Sequence, residues 1–296
     1  MNNLLNYNLI GIGEFSHGIQ ESWEFRFNLL KYALKKSNKK IIIFNEVSVW
    51  QADNIMNNTI WSIKDNKFIK YEGIKIELPI QNNNYVGGKL WQYINHAMES
   101  EIFLKIIKYI RKNKDRITII GIDNDTIDRD YDMYKIIIKN QKSSNINFLW
   151  ASNHHVSDLQ LSNDNLKYIK NKNHKWFVGH YLKKELKDNY CIILSQSYKG
   201  TNRFNGYCIG KNCNERTFQL NYFTKKFKYD KNKKYVNENK KYVNENKKYQ
   251  LLTDYNEPLI SFSNSYYKGN KYGVQDYMNT NIFNYILFWN EVNELN

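Results

Sequence analysis

A chain of 296 residues in which Phe, Trp and Tyr make up 16% carries enough apolar surface for a substantial core, which excludes a disordered polymer. Its formal net charge of +15 suggests nucleic acid at first sight, yet only six of the 44 basic residues are Arg (26, 111, 116, 129, 203 and 216) and the other 38 are Lys. Phosphate and base recognition favours Arg, and the chain is rich in Asn and Ile as well, so the excess reads as compositional bias and no nucleic-acid partner is expected.

Residues 7–12 read as a strand that ends in Gly13-Glu14. From Glu21 to Lys36, Trp23, Phe27, Leu30 and Leu34 recur at i, i+4, i+7 and i+11, a helical stripe. Ile41–Phe44 is a run of the kind buried on both faces of a parallel sheet, and it ends at Asn45-Glu46. Gly73, Pro79, Gly87 and Gly88 mark loops between two helical-looking segments, 50–62 and 90–112. Residues 50–112 therefore read as a helical insertion capping the C-terminal edge of the strands. Ile117–Ile120 is the next strand, followed by Gly121-Ile122-Asp123. A helix is expected over 128–140, with Tyr131, Tyr134, Ile137 and Ile138 as its apolar positions. Ile146–Ala151 is another buried strand and ends at Ser152-Asn153-His154-His155. A helix near 176–187 leads into a strand at 190–194. Lys233–Tyr249 holds the tandem heptad Lys-Lys-Tyr-Val-Asn-Glu-Asn, too short for a coiled coil. Residues 228–250 are accordingly expected to form a low-complexity insertion in a mobile surface loop. Residues 257–280 read as loop-rich, and Asn284–Trp289 as a last strand.

Strands alternating with helices predict one α/β domain over 1–296, with a mostly parallel central sheet flanked by helices. Parallel strands place their C-terminal ends on one edge. Glu14, Glu46, Asp123 and the Ser152–His155 group, each at such an end, are therefore expected to converge. There is no Gly-x-Ser-x-Gly elbow, no His-Glu-x-x-His and no P-loop. Gly11-Ile12-Gly13 begins a dinucleotide fingerprint, but Ser16 replaces its third glycine and Glu14 puts negative charge where pyrophosphate would lie. Cys191, Cys208 and Cys213 lack the second pair of a tetrahedral metal site. No apolar run approaches the roughly 20 residues of a bilayer span, and the N-terminus lacks a signal-peptide pattern. A cytoplasmic protein without a membrane partner is expected, with its oligomeric state left open.

Three of the six His, at 17, 154 and 155, fall at strand ends. An imidazole flanked by carboxylates is a competent general base for water, because the carboxylate fixes its tautomer and stabilises the imidazolium. In a Lys-rich chain, Arg129 at a helix start points to a planar bidentate donor or to an ordinary helix-start ion pair.

Gly13-Glu14-Phe15-Ser16-His17-Gly18, followed by Glu24-Phe25-Arg26, resembles the Gly-Glu-x-Thr/Ser-His-Gly signature of the erythromycin esterase family. Phe44-Asn45-Glu46 resembles the strand carrying that family's second active-site Glu. Arg129-Asp130-Tyr131-Asp132-Met133 is similar to its Arg-Asp-x-x-Met helix, and Trp150–Val156 to its Trp-Ala-His-Asn-x-His-Val segment. Val178–Leu182, the strand 190–195 and Phe283–Glu291 fit later blocks, whereas 50–98 and 202–280 match poorly. The resemblance implies hydrolysis of a macrolide-like lactone or another small-molecule ester by water. In that scheme His17 is the general base, Glu14 and Glu46 orient it and the water, Arg129 assists at the developing oxyanion, and His155 is a further site residue. It implies no cofactor and no metal. The family's first His in the Trp-Ala-His-Asn block is Ser152 here, and His154 replaces it only if the segment stays extended, since residues two apart then share a face. A metal-dependent hydrolase on the same scaffold and a ligand-binding homologue impaired at Ser152 are the alternatives.

Overall fold

The computed structural model describes residues 2–14, 19–47, 52, 56, 59–62, 67–70, 100–123, 128–159, 174–204, 216–219, 249–252, 259–263, 273–277 and 283–292. A 3-10 turn leads into β1 (Leu9–Glu14), and α1 (Gln20–Lys36) crosses to β2 (Ile41–Asn45). A short antiparallel hairpin follows, β3 (Thr59–Ser62) with β4 (Lys67–Lys70). Then come α2 (Glu101–Lys112), β5 (Ile117–Gly121), α3 (Arg129–Asn140), β6 (Ile146–Ser152), the single turn α4 (Asn153–Val156), α5 (Val178–Leu186) and β7 (Tyr190–Phe204). The remainder is β8 (Arg216–Gln219), β9 (Tyr249–Leu252), β10 (Leu259–Ser263), β11 (Gly273–Tyr277) and β12 (Tyr285–Val292).

Six strands in the order β5-β2-β6-β1-β7-β12 are all parallel. β9 closes the β12 edge antiparallel, and β8 pairs antiparallel with residues 201–204 at the far end of β7. The α/β architecture read from the alternation is therefore present. Successive residues of each strand serve two separate cores. Ile10, Ile12, Ile41, Ile43, Phe148 and Trp150 pack with α1 and α2. Leu9, Ile42, Phe44, Leu149 and Ile192 pack with α3 and α5 through Met133, Ile137, Val178 and Leu182. Burial on both faces explains why these strands read as continuous apolar runs.

This winding sets the place of the site. The chain leaves β1 and β2 towards the α1/α2 face, whereas it leaves β5 and β6 towards the α3/α5 face. Adjacent strands thus send their connections to opposite faces, and the crevice between such connections lies beyond the strands' carboxyl ends.

Several expectations change. Within 50–112, residues 59–62 and 67–70 are strands rather than helix, while 101–112 is the amphipathic α2, capped by Ser100 through the Phe103 N–H. Residues 259–263 and 273–277, read as loop, form an antiparallel hairpin. Residues 228–248 of the repeat segment lie outside the described residues, and Tyr249 and Gln250 begin β9. On α1 the buried face is Trp23, Phe25, Arg26, Leu29, Leu30 and Ala33, with Phe27 and Leu34 flanking it. On α3 it is Asp130, Met133 and Ile137, and Tyr131 and Tyr134 are only half-buried. Cys191 is buried in β7, and burial pushes its thiol up to about 12, as for a packing residue rather than a nucleophile. Among the described residues no helix is long and apolar enough to cross a membrane.

The α4 turn is wedged tightly. A Cβ on Gly13 would lie 2.4 Å from Asn153 Oδ1, and one on Gly179 would lie 2.3 Å from the Val156 carbonyl oxygen. Asn153 also bonds both backbone groups of Ser195 on β7, at 2.8 and 3.0 Å. The Tyr190 hydroxyl donates to the Val156 carbonyl at 2.7 Å. Because the obstacle at Gly179 is backbone, Gly179→Ala is expected to lower stability by about 1–3 kcal/mol, measured as a fall in Tm and in the urea midpoint.

Candidate functional site

Six elements deliver charged groups to the crevice: β1, α1, β2, β5, α3 and α4. At the end of β1, Glu14 is 4% exposed and stands opposite Ser152 in the β1–β6 register. Arg26, from the buried face of α1, reaches it at 3.2 Å and donates to the carbonyls of Ile12 and Ala151, each at 2.9 Å. Its guanidinium lies 4.8 Å from the Trp23 ring and 6.0 Å from the Trp150 ring. Burial lowers the Arg26 pKa from its ordinary value, against the opposing pull of Glu14 and Glu46. Arg26 therefore ties the ends of β1 and β6 together while it holds Glu14.

Beyond β2, Glu46 donates its backbone N–H to the Trp150 carbonyl at 3.0 Å, so the chain follows β6 one residue past the strand. Its Oε2 accepts the Ser152 N–H at 2.8 Å. Its Oε1 accepts from Arg129 Nη2 at 3.0 Å and lies 3.2 Å from His155 Nε2. Asp123, just beyond β5, is fully buried and accepts Arg129 Nε on both oxygens, at 2.9 and 3.0 Å, with a further bond from Nη2. Asp130, the second residue of α3, receives His155 Nδ1 at 2.6 Å and the Val178 N–H at 3.0 Å on the same oxygen. Arg129 Nη1 lies 3.0 Å from His155 Nε2.

Glu46, Asp123 and Asp130 surround one guanidinium, which leaves two negative charges uncompensated. Burial alone would lower the His155 pKa, but Asp130 first and Glu46 second override it, against the opposing Arg129 charge, and push it up from 6.5 to about 10. The same reasoning holds Arg129 well above its ordinary value: burial opposes, and Asp123, Glu46 and Asp130 prevail. As an imidazolium, His155 donates from Nδ1 to Asp130 and from Nε2 to Glu46. It then has no lone pair with which to take a proton from water. Arg129 keeps 29% of its side chain exposed. Nη1 lies 3.0 Å from His155 Nε2, which as an imidazolium nitrogen accepts no hydrogen bond, so this end of the guanidinium can still meet a ligand.

Of the residues singled out from sequence, Glu46, Arg129 and His155 form one cluster. Glu14 sits on the neighbouring strand end, coupled to the cluster through β6. His17 lies outside the described residues. Two members of the cluster, Asp123 and Asp130, were not among the candidate site residues, and nor was Arg26. Asp123 did stand out as a strand-end carboxylate. The pairing of Asp130 with a His 25 positions later has no local signature. The condition under which His154 could stand in for a His at position 152 is not met, because the extended segment ends at Ser152. Asn153–Val156 is a helical turn, on which residues two apart point to nearly opposite sides. His154 is buried with its ring 5.5 Å from Phe177.

No protein-family model matches the sequence, and no curated protein matches it. Solved structures do share its fold. A succinoglycan biosynthesis protein aligns with a TM-score of 0.59 at 13% identity, over 99% of this chain and 90% of its own. A protein from Bacillus cereus aligns at 0.58 and 11%, over 99% and 91%. An erythromycin esterase mutant in its open conformation aligns at 0.57 and 10%, over 100% and 94%. At these identities the likeness establishes a shared α/β fold.

The unfolded chain releases the His155 proton near pH 6.5 and the folded chain near 10. The folded state therefore holds the extra proton between these values. Its stabilisation is complete below about pH 6.5 and is lost as the pH rises through 10. The Tm gap between the wild type and His155→Gln is expected to be widest near pH 6 and to shrink steadily towards pH 10. A constant gap over that range would mean that His155 is neutral.

Proposed function

We propose that this chain is a hydrolase that cleaves a small-molecule ester or lactone with water, as an erythromycin-esterase-like enzyme. The observation that carries the reading is the Glu46–Arg129–His155 cluster at the C-terminal edge of the parallel strands, in a fold shared with an erythromycin esterase. In this reading His17, three residues beyond Glu14, takes a proton from water, and the water oxygen bonds to the acyl carbon. The carbonyl π electrons move to its oxygen, and Arg129 Nη1 meets the charge that develops there. Collapse of the tetrahedral intermediate restores the carbonyl and expels the alkoxide, which takes its proton from the His17 imidazolium. Glu14, anchored by Arg26, orients His17. Glu46, held by the Ser152 N–H, Arg129 and His155, orients the water. His155 is a positioning residue, because its proton holds Glu46 and balances Asp130. The positive charge among these carboxylates comes from Arg129 and the His155 imidazolium, which favours the metal-free reading over a metal-dependent one.

Ser152 favours a second reading, a ligand-binding homologue without turnover. Purified protein assayed on p-nitrophenyl acetate and on a macrolide lactone separates the two. Hydrolysis that falls about 10²–10⁴-fold in His17→Ala supports the first, as does a fall of about 10²–10³-fold in Arg129→Lys. Equal rates for wild type and His17→Ala overturn the proton-transfer scheme, and ligand binding without hydrolysis selects the second. Activity is expected to survive EDTA, which is checked after exhaustive dialysis.

A further inference from the structure

Next to the cluster, α3 and the segment leading into α5 build a feature that the scheme above does not use. An arrangement of carboxylate, imidazole and aromatic ring occurs there twice. His174 Nδ1 lies 3.1 Å from Asp128 Oδ2, and its ring stacks on Tyr131 at 3.8 Å and 16°. His180 Nδ1 lies 2.6 Å from Asp158 Oδ1, and its ring stacks on Trp176 at 3.9 Å and 15°. Tyr181 joins the pairs, edge-on to Tyr131 at 5.3 Å and to His180 at 5.8 Å. Tyr134 lies beside both tyrosines, at 5.7 and 5.5 Å. All six rings are half-buried rather than enclosed in the core.

The ledge is continuous with the cluster. Tyr131 follows Arg129 and Asp130 in the first turns of α3. The Phe177 ring meets His155 edge-on at 5.6 Å, and its carbonyl accepts the His180 N–H at 3.1 Å. Asp130 accepts the Val178 N–H, which fixes α5 to the same group that holds His155.

Apolar ring faces that alternate with fixed polar edges match a molecule that is apolar on its faces and hydroxylated around its rim. We propose that this ledge binds a pyranose unit, and therefore that the ester cleaved is carried on a carbohydrate. The sugar's C–H face lies on the aromatic rings and displaces the Lys135 and Lys175 ammonium groups, which lie 5.1 Å from the Tyr131 ring and 5.9 Å from the Trp176 ring, and its hydroxyls bond the imidazole edges and the Tyr hydroxyls. With Nδ1 turned to Asp158, His180 has its Nε2 free among the described residues for such a hydroxyl. A planar nucleobase fits less well. Tyr131 and Tyr181 stand at 70° and His180 and Tyr181 at 75°, so they form no parallel slot. The link to an ester rests on the hydrolase reading; the sugar site itself does not.

The test has two arms. The first titrates the full chain with neutral trisaccharides (cello-, malto-, xylo- and galactotriose) and with AMP, following Trp fluorescence. A saturable change with at least one trisaccharide is expected, weakened about tenfold in Trp176→Ala and in Tyr131→Ala and largely kept in Trp176→Phe. Variants are compared only where their Tm stays close to the wild type. The second arm compares kcat/KM for methyl 6-O-acetyl-glucopyranoside, which keeps three free hydroxyls, with that for p-nitrophenyl acetate. Trp176→Ala is expected to lower the first about tenfold and to spare the second. Saturable sugar binding with neither ester cleaved supports the ledge and overturns the hydrolase reading. Absence of any saturable trisaccharide signal, AMP binding more tightly than every trisaccharide, or an equal loss on both esters overturns the sugar site.

Discussion

Arg129 carries the electrostatics of this protein. It sits at the first position of α3, yet it answers carboxylates from the ends of two strands and neighbours a third on its own helix. Removing it would strand Asp123, which has no exposure to water, at a cost of about 3–5 kcal/mol. The third carboxylate, Asp130, brings in His155 as a second cation, and with it the α4 turn. The geometry at the sheet edge follows from this chain of compensations, each group being present because the previous one needed a counter-charge.

The network also distributes the roles of its members. Within it Asp130 is a structural anchor, since one oxygen serves both His155 and the start of α5. Glu46 is the most connected to the backbone, through its own N–H and that of Ser152. Arg129 is the most exposed member, with 29% of its side chain accessible against 12% for Glu46.

The parallel strands were legible in the sequence because burial on both faces writes them as apolar runs. Ile41–Phe44 and Ile117–Ile120 are observed almost residue for residue. The convergence of Glu46, Asp123 and the His155 turn followed from strand direction alone. The hairpins at 59–62 with 67–70 and at 259–263 with 273–277 were not legible, since short strands with mixed polarity have no period to read. Tyr131 and Tyr134, apolar positions of their helix, are only half-buried, because helical spacing marks which side of a helix is apolar without saying what lies against it. The tie between Asp130 and His155 was invisible because it depends on the turn that follows β6, and nothing in Ser152–His155 announces where extension stops.

The bond from the Ser152 N–H to Glu46 comes from the main chain. Any residue other than proline at this position supplies the same donor, so the frame around Glu46 is indifferent to the side chain borne there. Position 152 is thus a socket: the charge network fixes its walls whatever side chain is plugged into it.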